Sequence, residues 1–319
     1  MDRKLFEKII DIVERHKNDI EESASITKAP LKLFSYQLKK DPMGFLEWPI
    51  YFILKPLSIR VNLNNYFQVS KFIYKRRLLR AQYILSKFSE QENKILENVL
   101  KNLDPLQKTT FLDFFNGIVV KDQYHAREFI KDGQTIIDCG ANIGIFSIFA
   151  SYLNENGKIY AIEPVRETTE VIKKFLGAFK VKNVKIIRNA VGNKKEKKSM
   201  YLESGIKTSG SNSLIQGWVN YDTIINVEVN TIDNIVRENN MKSVDFIKMD
   251  IEGYEKEALT GALKTIRKFK PVIAVSAYHH RDDKILLPKI IKMAGVHYGV
   301  KFVKEAEEDF IFYPSESYA

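Results

Sequence analysis

The residues with the clearest chemical meaning are Asp138, Gly140, Asn142 and Gly144, in the run Thr135-Ile136-Ile137-Asp138-Cys139-Gly140-Ala141-Asn142-Ile143-Gly144. An apolar stretch ends in an acid, a small-residue turn follows, and an amphipathic stretch starts near Gly144. That order reads as a buried strand, a tight turn and a helix. A ligand can sit at such a junction, because backbone N–H groups and the carboxyl end of the strand meet there. A dinucleotide fingerprint would need G-x-G-x-x-G. Here Asn142 takes the second glycine position, and Asp138 is expected to point into the site. An acid suits a cationic ligand and repels a pyrophosphate.

A second acid follows at strand spacing. Lys158-Ile159-Tyr160-Ala161-Ile162-Glu163-Pro164 reads as the next strand, and Glu163 lies 25 residues after Asp138. That is close to the spacing of ~20 residues expected for an acid that binds ribose hydroxyls. A carboxylate can accept two hydrogen bonds from a vicinal diol. S-adenosylmethionine, with an ammonium, a sulfonium and a ribose, fits this pair of acids better than a dinucleotide does. Taken alone, Glu163 is equally a surface acid at a strand end. Cys139, inside the turn, reads as a small packing residue.

The chain resembles the FkbM family of S-adenosylmethionine-dependent methyltransferases. Four blocks carry the resemblance: Ile137 to Gly144, Ala161-Ile162-Glu163-Pro164, Val229-Asn230-Thr231-Ile232-Asp233, and Ile247-Lys248-Met249-Asp250-Ile251-Glu252-Gly253-Tyr254-Glu255. The last, K-x-D-x-E-G-x-E, is the most specific. Asn189-Ala190-Val191-Gly192, Ser211-Asn212-Ser213-Leu214 and Ala277-Tyr278-His279-His280 are similar to the family as well. The resemblance runs from about residue 120 to the C-terminus and leaves the first ~110 residues unexplained. It implies O-methylation of a small molecule or a sugar, without saying which.

Methyl transfer from a sulfonium is an in-line displacement on an activated donor. The protein must align the acceptor, exclude water and take up a proton. Asp250, ending the fourth strand, is the expected base, hydroxyl acceptor or metal ligand. His279 and His280 follow the fifth strand, where an imidazole near neutral pH can accept a proton. Glu252, Ser211 and Ser213 are candidate substrate contacts. Gly140, Asn142, Gly144, Asp138, Glu163 and Asn189 are candidate cofactor contacts, with the Asn189 amide expected at the adenine. Glu255 reads as a helix cap. Tyr124, His125 and Glu128 precede the first strand and either close over the cofactor or are solvated loop residues. Asp282 and Asp283 with Asp250 offer oxygen ligands for Mg²⁺. Spacing alone does not require a metal, so none is assigned.

The elements that must position these residues alternate strand and helix from about residue 111. The pattern predicts an α/β class I methyltransferase, Rossmann-like, with a mostly parallel sheet whose last strand is antiparallel. Strands are expected near 135–139, 158–163, 184–190, 244–250 and 271–277, with a closing pair at 297–303 and 308–313. Helices are expected near 144–154, 165–179, 254–269 and 283–294. Residues 193–230 are too long for an ordinary connection and suggest a lid, with 198–203 and 226–230 as a short strand pair. Residues 1–110 read as a mainly helical N-terminal region before a methyltransferase domain at 111–319. Apolar positions in residues 2–18 recur at helical spacing, four prolines break up residues 20–66, and helices follow at 67–88 and 90–102, the second with a capped start at Ser89.

The chain has 319 residues, 45% hydrophobic and 28% charged, ordinary for a globular protein with ample core. A single cysteine excludes an internal disulfide and points to a reducing, cytoplasmic setting. The N-terminus shows no signal-peptide core, and no apolar run is long enough to span a bilayer. The net charge of +10 is concentrated in residues 31–80, which carry 10 Lys and Arg against 2 Asp and Glu among many aromatics. This mixture suits packing against the catalytic domain with lysines solvated, or peripheral membrane contact, or nucleic acid. A small-molecule or glycan acceptor remains the leading expectation. The alternatives are a nucleic-acid methyltransferase, for which no base-amine motif or RNA module appears, and a non-catalytic cofactor-binding or membrane-associated protein.

Overall fold

The computed structural model of the chain describes residues 1–26, 86–101, 103, 105–203, 210–219, 221–304 and 306–315. The basic segment 31–80, the proline-rich stretch and nearly all of the helix expected at 67–88 lie outside these residues. The chain forms two compact units, one of Lys8–Asn116 and one of Met1–Glu7 with Gly117–Ala319.

The smaller unit is helical where it is described. It holds most of α1 (Arg3–Arg15), then α2 (Lys17–Ile26), α3 (Glu90–Leu100) and α4 (Pro105–Phe114). Ser89 starts α3 with a capping box: its hydroxyl accepts from Glu92 N at 3.2 Å, and Glu92 Oε2 accepts from Ser89 N at 2.7 Å. Glu92 also takes Arg15 at 2.6 Å and His16 at 3.3 Å, which ties α3 to α1 and to the start of α2.

In the larger unit, strands and helices alternate. After α5 (Ala126–Phe129) come β1 (Thr135–Cys139), α6 (Ile145–Leu153), β2 (Lys158–Ile162), α7 (Arg166–Ala178) and β3 (Val184–Ile187). Next are β4 (Ala190–Val191), β5 (Glu196–Glu203), β6 (Tyr221–Asn230), α8 (Ile232–Glu238) and β7 (Phe246–Met249). Then follow α9 (Glu255–Thr260), α10 (Leu263–Phe269), β8 (Val272–Ser276), α11 (Asp283–Met293), β9 (Tyr298–Val303) and β10 (Asp309–Pro314). The main sheet has seven strands in the order β3-β2-β1-β7-β8-β10-β9. β1, β2, β3, β7 and β8 run parallel, and β10 is antiparallel to both of its neighbours. This is the expected class I methyltransferase sheet, its last strand reversed and inserted between β8 and β9.

Both faces of the parallel strands are covered, so their side chains read as apolar runs rather than as alternation. Phe246 and Ile247 of β7 are both fully buried. Phe246 stacks on Phe146 of α6 at 5.9 Å, while Ile247 joins the opposite cluster with Ile273, Leu259 and Ile266. The strand order reverses direction between β1 and β7, since the chain builds outward to β3 before returning. A crevice opens at the carboxyl ends of the strands at such a switch point.

Three expectations change in detail. The third strand breaks at Arg188 and Asn189, leaving β3 in the main sheet and β4 in a small sheet of order β4-β6-β5. The helix expected at 254–269 divides into α9 and α10 at Gly261, where a Cβ would stand 2.0 Å from the Gly192 carbonyl. α8 had no counterpart in the sequence reading, although Thr231 caps it by accepting from Asn234 N at 3.0 Å. The insertion does fold as a strand pair, β5 with β6, and Met200, Leu202, Leu214, Val227 and Val229 bury it against Tyr254. Among the described residues, no helix is long and apolar enough to cross a membrane. Replacing Phe246 by Ala should lower unfolding stability by about 3–5 kcal/mol, as read by urea denaturation.

Candidate functional site

The turn after β1 is held by backbone bonds to the end of β2: Gly140 N and Ala141 N both donate to Ile162 O, at 3.1 and 3.0 Å. Three of its residues have left-handed backbone, Gly140 at φ 74°, Asn142 at 47° and Gly144 at 87°. Asn is among the few side-chain-bearing residues that accept this region, which is how Asn142 stands where a glycine is common. A Cβ at Gly140 would meet the Asp250 carbonyl at 2.0 Å. The glycine is therefore required first by the crossing of the β1 and β7 chain ends.

Lys248 of β7 locks that crossing. Its ammonium is 3.3 Å from Asp138 Oδ1 and donates to the carbonyls of Gly140 at 2.8 Å and Cys139 at 3.3 Å. Burial opposes its charge, but Asp138 and Asp250 outweigh that and keep it protonated. Ser147 of α6 donates to Asp138 Oδ2 at 2.7 Å. Asp138, expected to face a cationic ligand, is instead fully buried and already neutralised.

An open cleft of about 540 Å³, its mouth included, lies at the switch point. Gly140, Asn142, Glu163, Asn189, Asp250 and Glu252 all line it, bringing together the carboxyl ends of β1, β2, β3 and β7. Glu163 receives Asn142 N on Oε2 at 3.1 Å and Val165 N on Oε1 at 2.9 Å. Burial dominates these bonds and pushes its carboxyl up to about 7. Asn189 reaches the cleft, but its amide N–H₂ is bound to Glu228 O at 3.1 Å. The lid contributes Gly210, Asn212 and Leu214 to the lining.

Beyond β7 the chain turns through Glu252 and Gly253, both with positive φ, into α9. Glu255 Oε1 accepts from Ile251 N at 2.9 Å and Gly253 N at 3.3 Å, so it caps the turn. Asp250 Oδ2 accepts from the Tyr124 hydroxyl at 2.8 Å, and its buried Oδ1 has no hydrogen-bond partner. Trp218 Nε1 donates to Glu252 Oε2 at 3.2 Å. Burial first, then Asp250, raises the Glu252 carboxyl well above the usual range.

His279 is 2% exposed at its side chain and lies among Asp250, Glu252 and Glu255. Burial works against its charge, and the three carboxylates outweigh burial, lifting it to about 9. That balance favours the protonated imidazole and works against the expected role of proton acceptor. His280 is committed to the backbone: Nε2 is 2.9 Å from Gly253 O, and its N–H donates to Asp283 at 2.6 Å. Ser213 is likewise structural. Its hydroxyl donates to Glu252 O at 2.7 Å and accepts from Ile215 N, pinning the lid to the β7–α9 turn. Ser211 is half-buried on the same lid, between the cleft residues Gly210 and Asn212. Asp282 and Asp283 are drawn to Lys256 at 2.9 and 3.6 Å, so the oxygen cluster expected for Mg²⁺ is not assembled.

The family profile described as Methyltransferase FkbM domain matches residues 138–301, which contain nearly all of this cleft. The chain belongs to the FkbM methyltransferase family. No curated protein matches the sequence. Among solved structures, it is similar to the methyltransferase FkbM of Methylobacillus flagellatus KT, at 20% identity and TM-score 0.45, over 68% of this chain and 57% of that one. It thus spans little more than half of that relative. A SAM-dependent methyltransferase from Aquifex aeolicus matches at 18% identity and TM-score 0.40, over 67% of this chain and 98% of that one. Fibrillarin of Aeropyrum pernix with natively bound S-adenosyl-L-methionine matches at 12% identity and TM-score 0.37, over 57% and 67%.

In this FkbM family member, Lys248, Trp218, Glu307 and Asp309 are site residues that the sequence reading did not single out. Gln123 Nε2 and the Ser276 hydroxyl hold Asp309, at 3.1 and 2.8 Å, and burial followed by Asp250 pushes that carboxyl up to about 7. The one available signal was the lysine of K-x-D-x-E-G, an unusual charge inside an apolar strand. Lys248→Met should cost about 3–5 kcal/mol in urea denaturation, because it strands Asp138 without a counter-charge. Adding Asp138→Asn should recover part of that loss.

Proposed function

We propose that this chain binds S-adenosylmethionine in the cleft and methylates a hydroxyl of a sugar, glycan or small metabolite. The observation that carries the reading is Asp250. It lines the cleft with Gly140 and Glu163, is fixed on one oxygen by Tyr124, and keeps the other free of hydrogen bonds. When bound, the cofactor supplies an electrophilic methyl group on a sulfonium.

The donors and acceptors of the cleft fit that group. Glu163 has remaining lone pairs for the ribose diol. Asp250 and Glu252, rather than Asp138, are the acids that line the cleft where a sulfonium and an ammonium would sit. The Asp250 carboxylate would take the proton of the acceptor hydroxyl as the oxygen–carbon bond forms and the methyl–sulfur bond breaks, leaving a neutral thioether. Alignment of the two substrates is the larger contribution, up to ~7–11 kcal/mol in ideal cases. The indole of Trp218 and the partly exposed ring of Tyr278 stand beside the Asp250 region, and aromatic faces suit the C–H faces of a sugar.

Calorimetry with S-adenosylmethionine tests the cleft. The wild type should bind, Glu163→Gln should weaken binding about tenfold or more, and Asp250→Asn should retain it while losing methyl transfer. The carboxyl of Glu163 holds its proton below about 7 and is a better acceptor once ionised. Affinity should therefore rise with pH through that value and stay flat in Glu163→Gln. Absence of binding in the wild type sinks the reading.

A further inference from the structure

We propose that Asp250, Glu252 and His279 form a binding site for a divalent metal ion of the manganese, iron or zinc kind, beside the cleft. One ligand atom from each of these residues lies within 4.8 Å of the other two. His279 Nε2 stands 3.7 Å from Asp250 Oδ1 and 3.6 Å from Glu252 Oε2. These gaps are too long for hydrogen bonds. They are close to ~3.4 Å, the edge of a tetrahedron with arms of about 2.1 Å.

The second observation is the way each ligand is held from behind. Ligating imidazoles characteristically give their other nitrogen to a carboxylate, and ligating carboxylates are themselves hydrogen-bonded. Here His279 Nδ1 is 2.9 Å from Glu255 Oε1, off the line of an ideal hydrogen bond. That contact aims Nε2 at the two carboxylates. The Tyr124 hydroxyl occupies Asp250 Oδ2 and so leaves Oδ1 free, while Trp218 orients Glu252 by donating to Oε2, the same oxygen that stands 3.6 Å from His279 Nε2. The His279 side chain is 2% exposed, yet its Nε2 has no hydrogen-bond partner. A nearly buried imidazole nitrogen and a buried carboxylate oxygen thus stand 3.7 Å apart, each without a hydrogen-bond partner.

Charge favours an ion there as well. Asp250, Glu252, Glu255 and Glu307 act on His279, and Lys248 is engaged by Asp138. A divalent ion would add charge and release the imidazole proton to solvent. Imidazole with carboxylates suits first-row divalent ions better than Mg²⁺, which prefers an all-oxygen shell. Three protein ligands leave positions open, and an acceptor hydroxyl bound to such an ion would lose its proton to water more readily. That last role rests on the methyl-transfer reading; the binding of the ion does not.

The test is titration of the full chain, stripped of metal by chelator dialysis, with Mn²⁺ followed by electron paramagnetic resonance. One tightly bound ion is expected per chain, with the pulsed-resonance ¹⁴N coupling of a directly ligated imidazole. His279→Gln should abolish that coupling and weaken Mn²⁺ at least tenfold. Asp282→Asn, in the acid pair held by Lys256, should change neither. A wild-type spectrum without ¹⁴N coupling, or an unchanged titration in His279→Gln, overturns the proposal. If His279→Gln fails to fold by circular dichroism, the wild-type coupling alone decides. Calorimetry with S-adenosylmethionine on the same preparation separates the two readings: cofactor binding without Mn²⁺ binding removes the ion site alone, and the reverse removes the cleft reading alone.

Discussion

The contact between Lys248 and Asp138 is the constraint on which the rest of the site depends. Both side chains are buried, so each charge tolerates its position only because of the other. The lysine also donates to the carbonyls of Cys139 and Gly140, which binds the end of β1 to the body of β7. The two strands are 108 residues apart at this contact. Their crossing is so close that only a glycine fits at 140. Everything that follows β7, including Asp250 and the turn through Glu252, inherits its position from this clamp.

The acids of the site divide into two kinds by what surrounds them. Asp138 and Glu255 are tied into the fold, one by Lys248 and Ser147, the other by two backbone N–H groups and its contact with His279. They fix geometry. Glu163, Glu252 and Asp309 are crowded by burial and by neighbouring negative charge, which raises their carboxyls. Two of them, Glu163 and Glu252, face the cleft together with Asp250. In their ionised form, carboxyl groups lining a cleft favour a cationic occupant, whether a sulfonium or a metal ion.

The sheet was legible because its signals are local. Apolar runs of strand length, each ending in an acid or a small-residue turn, repeat with helices between them, and the closing pair of strands flanks an evident polar turn. The K-x-D-x-E-G-x-E block lies at the cleft, which Asp250, Ile251, Glu252 and Tyr254 line. Roles within the block were less legible. Glu255 was readable as a cap from its position one step into a helix, whereas Lys248 looked like an interruption of a strand. His280 and Ser213 have the residue types of catalysis, but their polar atoms are taken by the Gly253 and Glu252 carbonyls.

The sequence by itself determined the order of strands and helices, the glycine-bearing turn after β1, the acids Glu163 and Asp250 at strand ends, and the strand-paired insertion. These follow from periodicity and turn chemistry within short windows of chain. Only the tertiary structure decided which acids line the cleft, that three carboxylates gather around His279, and that Tyr124 holds Asp250 across 126 residues. The physical reason is that charge and hydrogen-bond partnership depend on burial and on neighbours brought in from distant strands. Neither is encoded in the spacing of any one segment.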